Sequence, residues 1–181
     1  MFVEQTPHRF YDNVKYLYLH LCRHPLANGK AIYLTRSETL RDELTKCGLP
    51  VVMEDSLRGK WMMLRAKVAV EDGLGLTHDL KSFYLYGARK IQLWHGTPLK
   101  RIQLQTYEDL GFVEGTLAKY FWVFAGRYPF YHVLISSSAT CTNVGYAGAF
   151  RCGRILELGY PRNDLFFQNS SDTYMLGADE E

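Results

Sequence analysis

Apolar positions along this chain follow two periods that take turns. Across residues 11–22, Val14, Leu17, Tyr18 and Leu21 recur at three- and four-residue steps, which puts them on one stripe of an amphipathic helix that ends near Pro25. A short apolar run follows at 31–34. Ser37 then caps a helix reaching Lys46, Gly48 ends it, and the next apolar run is 51–53. The order repeats: 57–65 reads as a helix, 67–70 as a buried strand, 78–86 as a helical or irregular crossover and 90–94 as a further strand. Beyond an irregular stretch at 96–115, a helical segment extends to about Arg127. A strand then covers 132–135, a helix runs through Phe150 and a strand covers 155–158.

Strands alternating with helices predict a parallel sheet covered on both faces, joined by right-handed crossovers. The expected fold class is α/β, a Rossmann-like parallel sheet of about six strands with flanking helices. With 181 residues, 47% of them hydrophobic, the chain can bury one core without staples, and a single domain over 1–167 is expected. Residues 168–181 are polar and acidic without apolar period, so they are expected to be a disordered tail or a truncated interdomain linker.

Composition narrows the partners. Lys and Arg exceed Asp and Glu by two, with the signs interspersed, so the chain offers no field for nucleic acid. The cysteines, Cys22, Cys47, Cys141 and Cys152, form no CxxC pair and have no histidine at ligand spacing. They are expected to be buried, reduced thiols, and neither a metal site nor another cofactor is implied. Residues 1–10 carry charge where a signal peptide needs an apolar run, and no stretch approaches the length that spans a bilayer. A cytoplasmic protein is the expectation.

Two segments carry candidate chemistry, each directly after a strand, where open α/β sheets bind ligands. In the first, Trp94-His95-Gly96-Thr97-Pro98-Leu99-Lys100, histidine is the side chain suited to proton transfer near neutral pH. Gly96 lets a ligand approach the backbone, while Thr97 and Lys100 supply a hydroxyl and a cation for a phosphate. The bland alternative is a turn histidine in a plain loop. In the second, Gly159-Tyr160-Pro161-Arg162-Asn163-Asp164, the first three residues turn sharply out of the sheet. Arg162, Asn163 and Asp164 then offer a phosphate fork, an amide and a carboxylate. Here the alternative is a short helix capped by Asn163 or Asp164, with Arg162 paired to a surface acid.

Three weaker features remain. The aromatic run at 120–131, beside Lys119, suits a membrane headgroup layer, although such runs more often fill a core or a domain interface. Glu71 and Asp72 follow the strand at 67–70 and stand either as acids that orient His95 or as turn acids. His20, His24, His78 and His132 have no pattern around them and are expected to be structural.

The run from Gln92 to Lys100, followed by the run from Gly159 to Asp164, resembles the CDP-glycerol glycerophosphotransferase family. Leu134-Ile135-Ser136-Ser137-Ser138 and Ala149-Phe150 extend the similarity, which covers about 11–167. The resemblance implies the N-terminal, acceptor-side domain of a two-domain GT-B-type transferase that builds teichoic-acid-like polymers. It implies His95 as catalytic base, with Trp94, Gly96, Thr97, Lys100, Arg162, Asn163 and Asp164 binding substrate and phosphate. The implied donor is CDP-glycerol, held by a second domain that this chain lacks. The implied acceptor is a lipid-linked or polymeric polyol phosphate, which would bring the chain to the inner face of the membrane. A complementary C-terminal half is then the expected partner, and the chain alone is expected to be inactive. The competing readings are a non-catalytic module that binds glycerol-phosphate polymers and the acceptor half of a GT-B sugar transferase.

Overall fold

The computed structural model describes residues 1–3, 9–77, 81–105 and 130–167. Its elements are β1 (Phe2–Val3), α1 (Asp12–Arg23), β2 (Tyr33–Thr35), α2 (Glu38–Lys46), β3 (Val51–Met53), α3 (Leu57–Leu64) and β4 (Val68–Glu71). A 3-10 turn (Gly75–Thr77) and α4 (Lys81–Tyr84) lead to β5 (Arg89–Gln92). After β6 (Tyr131–Ser136) come a π-helical segment (Cys141–Tyr146), β7 (Cys152–Glu157) and a 3-10 helix (Pro161–Phe167).

Among the described residues, seven strands form one sheet in the order β3-β2-β1-β4-β5-β6-β7, and every neighbouring pair is parallel. The α/β class and parallel sheet are as expected, with one strand more than the sequence predicts. The additional strand is β1, inside the sheet between β2 and β4, where Phe2 is in register with Tyr33 on one side and Val70 on the other. Two residues hold too little period to announce a strand. What makes it one is burial, for Phe2 and Val3 are 2% and 1% exposed.

The alternation of side chains across the sheet fills two cores. Phe2, Tyr33, Val70, Leu93 and Ile135 face α1 and α2, packed with Val14, Tyr18, Leu19, Leu40 and Leu44. Val3, Leu34, Val52, Ala69 and Tyr131 face the other way, against Met63, Leu76 and Leu85. The helix starts follow their local chemistry. Ser37 Oγ accepts from Leu40 N at 3.2 Å, Ser56 Oγ accepts from Gly59 N at 2.9 Å, and Gly48 closes α2 at φ +73°.

Some expectations need correction. The helix expected to run through Phe150 is a π-helix of six residues that ends at Tyr146. The cysteines are free, but Cys141 alone is buried; Cys22 and Cys152 are half-buried, and Cys47 is exposed because it forms the C-cap of α2. His78, the helical segment reaching Arg127, residues 120–129 of the aromatic run and residues 168–181 lie outside the described residues. From that run, Phe130 is 44% exposed, whereas Tyr131 is buried at the start of β6.

Gly59 brings α3 down onto the end of β3. A Cβ there would lie 2.0 Å from the Met53 carbonyl oxygen, so a larger residue forces the helix away from the sheet. Gly59→Ala is expected to cost about 1–3 kcal/mol of stability, read as a lower urea midpoint at unchanged m-value. An unshifted midpoint would show that α3 can lift from β3 without penalty.

Candidate active site

Because all strands run the same way, the segments after β4, β5, β6 and β7 emerge at one edge of the sheet. Gln92, the last residue of β5, is fully buried, and its side chain shapes the first of these loops. Its Nε2 donates to Gly73 O at 2.8 Å, and its Oε1 accepts from Trp94 N at 2.9 Å. Trp94 is buried with φ +52°, a left-handed conformation that costs a bulky residue about 1–3 kcal/mol. The indole meets Phe150 edge-on at 5.0 Å and lies against the His95 ring, with centroids 4.1 Å apart.

His95 is exposed, and its Nδ1 sits 3.1 Å from the backbone oxygen of Asp72. A carbonyl oxygen only accepts, so Nδ1 carries a proton, and in the neutral ring Nε2 is the nitrogen with the lone pair. Asp72 therefore meets the imidazole through its main chain. Its carboxylate instead accepts from Val14 N at 2.9 Å, in the first turn of α1. Burial pushes the Asp72 carboxyl up to about 7, with the Asp12 charge adding to the rise while the Val14 hydrogen bond and Arg162 oppose it. Glu71 lies deeper. Tyr131 OH, Leu76 N at 2.8 Å and Gln92 Nε2 at 3.5 Å all donate to its carboxylate, which anchors the turn after β4.

The second loop leaves β7 through Gly159, whose φ of +81° suits glycine. Arg162 is half-buried and donates from Nη1 to Asp12 Oδ1 at 2.9 Å. A Cβ added to Gly96 would lie 3.5 Å from Arg162 Nη2, so the guanidinium rests beside the first loop. Two buried tyrosines tie the loops from below. Tyr146 OH donates to Gly96 O at 2.9 Å, which leaves Tyr160 OH to donate to Tyr146 OH at 2.7 Å.

The structure thus gathers Trp94, His95, Gly96 and Arg162 into one cluster. Thr97 joins through Cys141, whose thiol donates to Thr97 Oγ1 at 3.5 Å and accepts from Ser137 Oγ at 3.1 Å. Those hydrogen bonds hold the Cys141 thiol below its usual range. Pro98 packs on Gly145, where a Cβ would come within 2.9 Å of the proline ring. Lys100, Asn163 and Asp164 are exposed side chains of the same two loops.

Asp12, Asn13 and Tyr146 are missing from the expectation, and Gln92 enters it only as the first residue of the run that ends at Lys100. Asn13 is the most deeply placed: it is fully buried, donates from Nδ2 to Trp94 O at 2.6 Å and accepts from Arg162 N at 3.2 Å. In the sequence, Asp12-Asn13 before an apolar stripe is a sufficient start signal for a helix, and nothing local points further. Of the remaining histidines, His132 Nδ1 accepts from Lys90 N at 3.1 Å and His20 stacks on His24, both structural arrangements. Among the described residues no group of three or more His, Cys, Asp or Glu side chains is placed to hold a metal ion.

The profile of the CDP-glycerol:poly(glycerophosphate) glycerophosphotransferase family matches residues 1–180. The chain belongs to this family. Over 127 residues it is 30% identical to the teichoic acid poly(glycerol phosphate) polymerase of Bacillus subtilis (strain 168), covering 69% of this chain and 16% of that protein. It is 27% identical over 170 residues to the teichoic acid glycerol-phosphate transferase of Staphylococcus aureus (strain NCTC 8325 / PS 47), covering 91% of this chain and 41% of that one. The chain therefore spans less than half the length of the curated relatives it matches. The wall teichoic acid polymerase TagF, solved as a variant with CDPG after a 15 minute soak, shares the fold. There the TM-score is 0.62 at 23% identity, over 94% of this chain and 42% of TagF.

The two edge carboxyls give this family member a pH signature. Burial raises Glu71 from 4.5 to about 8, so between those values the folded chain holds a proton that the unfolded chain has lost. Stability is then expected to fall as pH rises through that window, by linkage. Glu71→Gln, which cannot ionise, is expected to flatten the fall in urea midpoint between about pH 5 and about pH 8. An equally steep fall in the variant would assign the dependence elsewhere.

Proposed function

We propose that residues 1–167 form the acceptor-side domain of a CDP-glycerol:polyol-phosphate glycerophosphotransferase, with His95 as its general base. The observation that carries this reading is the fixed tautomer: Nδ1 is tethered to the Asp72 carbonyl, which leaves Nε2 as a free lone pair on an exposed loop. In the proposed reaction Nε2 takes the proton of a terminal acceptor hydroxyl. The freed oxygen bonds to the β-phosphorus of CDP-glycerol, the bond between that phosphorus and the bridging oxygen breaks, and CMP departs with that oxygen. The proton then passes from His95 to solvent.

Phosphoryl transfer depends on positioning and on charge stabilisation around the transferring group. Arg162, held by Asp12 beside Gly96, and the exposed Lys100 are the cations suited to that task. Thr97, Asn163 and Asp164 add polar groups from the same loops, and Trp94 backs the imidazole. The donor nucleotide in this reading binds a complementary C-terminal half, in keeping with the greater length of the relatives. Exposed Leu156, Leu158, Phe166 and Phe167, on and beyond β7, support a surface that such a half covers. The acceptor is a lipid-linked or polymeric polyol phosphate, which brings the chain to the inner membrane face. No helix among the described residues is long and apolar enough to cross the membrane.

The test is CMP release from CDP-glycerol with a glycerol-phosphate-primed acceptor, for the chain alone and for the chain joined to the C-terminal half of a family member. Activity is expected only in the joined protein, and His95→Ala should lower it by about 10²-fold or more. Full activity in joined His95→Ala would remove the base from the scheme. Acceptor binding without CMP release would favour a polymer-binding module instead.

A further inference from the structure

Both peptide groups of Trp94 are held by side chains rather than by ladder hydrogen bonds. Gln92 Oε1 takes its N–H, and Asn13 Nδ2 takes its carbonyl at 2.6 Å. The other end of the Asn13 amide accepts from Arg162 N at 3.2 Å. This amide orientation is fixed by its partners, since a flip would set oxygen against the Trp94 carbonyl oxygen and NH2 against the Arg162 N–H. Asn13 therefore bridges the loop that carries His95 and the loop that carries Arg162, two segments that share no local sequence.

The neighbouring residue completes the bridge. Asp12 adopts φ +60° and uses one carboxylate oxygen, Oδ1, to accept both from Asn13 N at 2.8 Å and from Arg162 Nη1 at 2.9 Å. Val14 N, one residue further on, binds the Asp72 carboxylate, and the Asp72 carbonyl binds His95. Three successive residues of α1 thus reach three separate segments of the edge. Two left-handed non-glycine positions, Asp12 and Trp94, flank the same pair of Asn13 contacts, and such strain persists only where the surroundings over-determine it.

We propose that the first turn of α1 is a positioning segment of the active site, in which Asn13 sets the place of the His95 loop against the Arg162 loop. Asp12 fixes the guanidinium beside Gly96. Neither residue needs to touch substrate. Asn13 holds the backbone on which the base stands, and Asp12 holds the cation that faces the transferring phosphate. The relevance to transfer rests on the reading given above, whereas the positioning itself can be read without any turnover.

The experiment is nitrogen and carbon NMR of the labelled full chain at about pH 8.5, where a histidine ring is neutral, with His95 assigned by comparison with His95→Gln. The wild-type ring is expected to show the Nδ1–H tautomer. In Asn13→Asp a carboxylate oxygen faces the Trp94 carbonyl, so the His95 ring should shift toward a mixture of tautomers and the Arg162 amide should move. The backbone spectrum of β1 to β4 should stay in place. A folded Asn13→Asp or Asn13→Ala with His95 and Arg162 signals as in wild type would overturn the proposal.

Should both Asn13 variants fail to fold, Asp12→Asn carries the test, because it keeps size and shape and removes only the charge. Its Arg162 Nε–H signal should shift and exchange faster with solvent while the β1 to β4 spectrum is unchanged, and an unaltered Arg162 signal would overturn the proposal. In the joined protein, Asn13→Asp should lower kcat at least tenfold while KM for CDP-glycerol stays within about twofold. If transfer is absent whatever residue occupies position 13, yet the spectra move as described, the transfer reading fails and the positioning role stands.

Discussion

Phe2 and Val3 are inserted between β2 and β4, and the sheet is registered on that insertion. Phe2 N donates to Ile32 O at 2.8 Å, while Val70 N donates to Met1 O at 2.9 Å. Without β1 the strands β3-β2 and β4-β5-β6-β7 would be two separate pieces, each with an open edge of unpaired backbone groups. Inserting it also reverses the direction of winding. The chain steps outward from β1 to β2 and β3, then returns across β1 to build β4 and the rest on the far side. A parallel sheet with such a reversal leaves a crevice at the carboxyl ends of the strands on either side of it.

Polar chemistry collects at that edge because β1, β2 and β4 are covered on both faces by apolar side chains. The carboxyl groups of Glu71 and Asp72 are buried there, and each is supplied with hydrogen-bond donors that offset part of the cost of burial. His95 takes its orientation from a backbone carbonyl rather than from a carboxylate, so that orientation does not depend on the charge of Asp72. The same economy recurs in the tyrosine pair beneath Gly96, where two phenols and one carbonyl satisfy one another. Hydrogen bonds within the protein thus fix the two loops against each other. Membership of the glycerophosphotransferase family gives this edge its context.

Local pattern determined much of this protein. The stripe through Val14 and Tyr18, the Ser37 cap, the Gly48 stop and the bounds of β3 follow from side-chain periodicity and capping chemistry, which act within a few residues. The parallel sheet follows from alternation of strand and helix. Both loops of the candidate site were legible from their place in that alternation, since each comes directly after a strand and carries residue types fit for phosphate. What only the tertiary structure decided is long-range. β1 is a strand because neighbours on both sides bury it, and Asp72 serves His95 through an atom common to every residue. Asn13 matters through partners 81 and 149 residues away, a relation that no window of sequence contains and that the winding of the sheet creates.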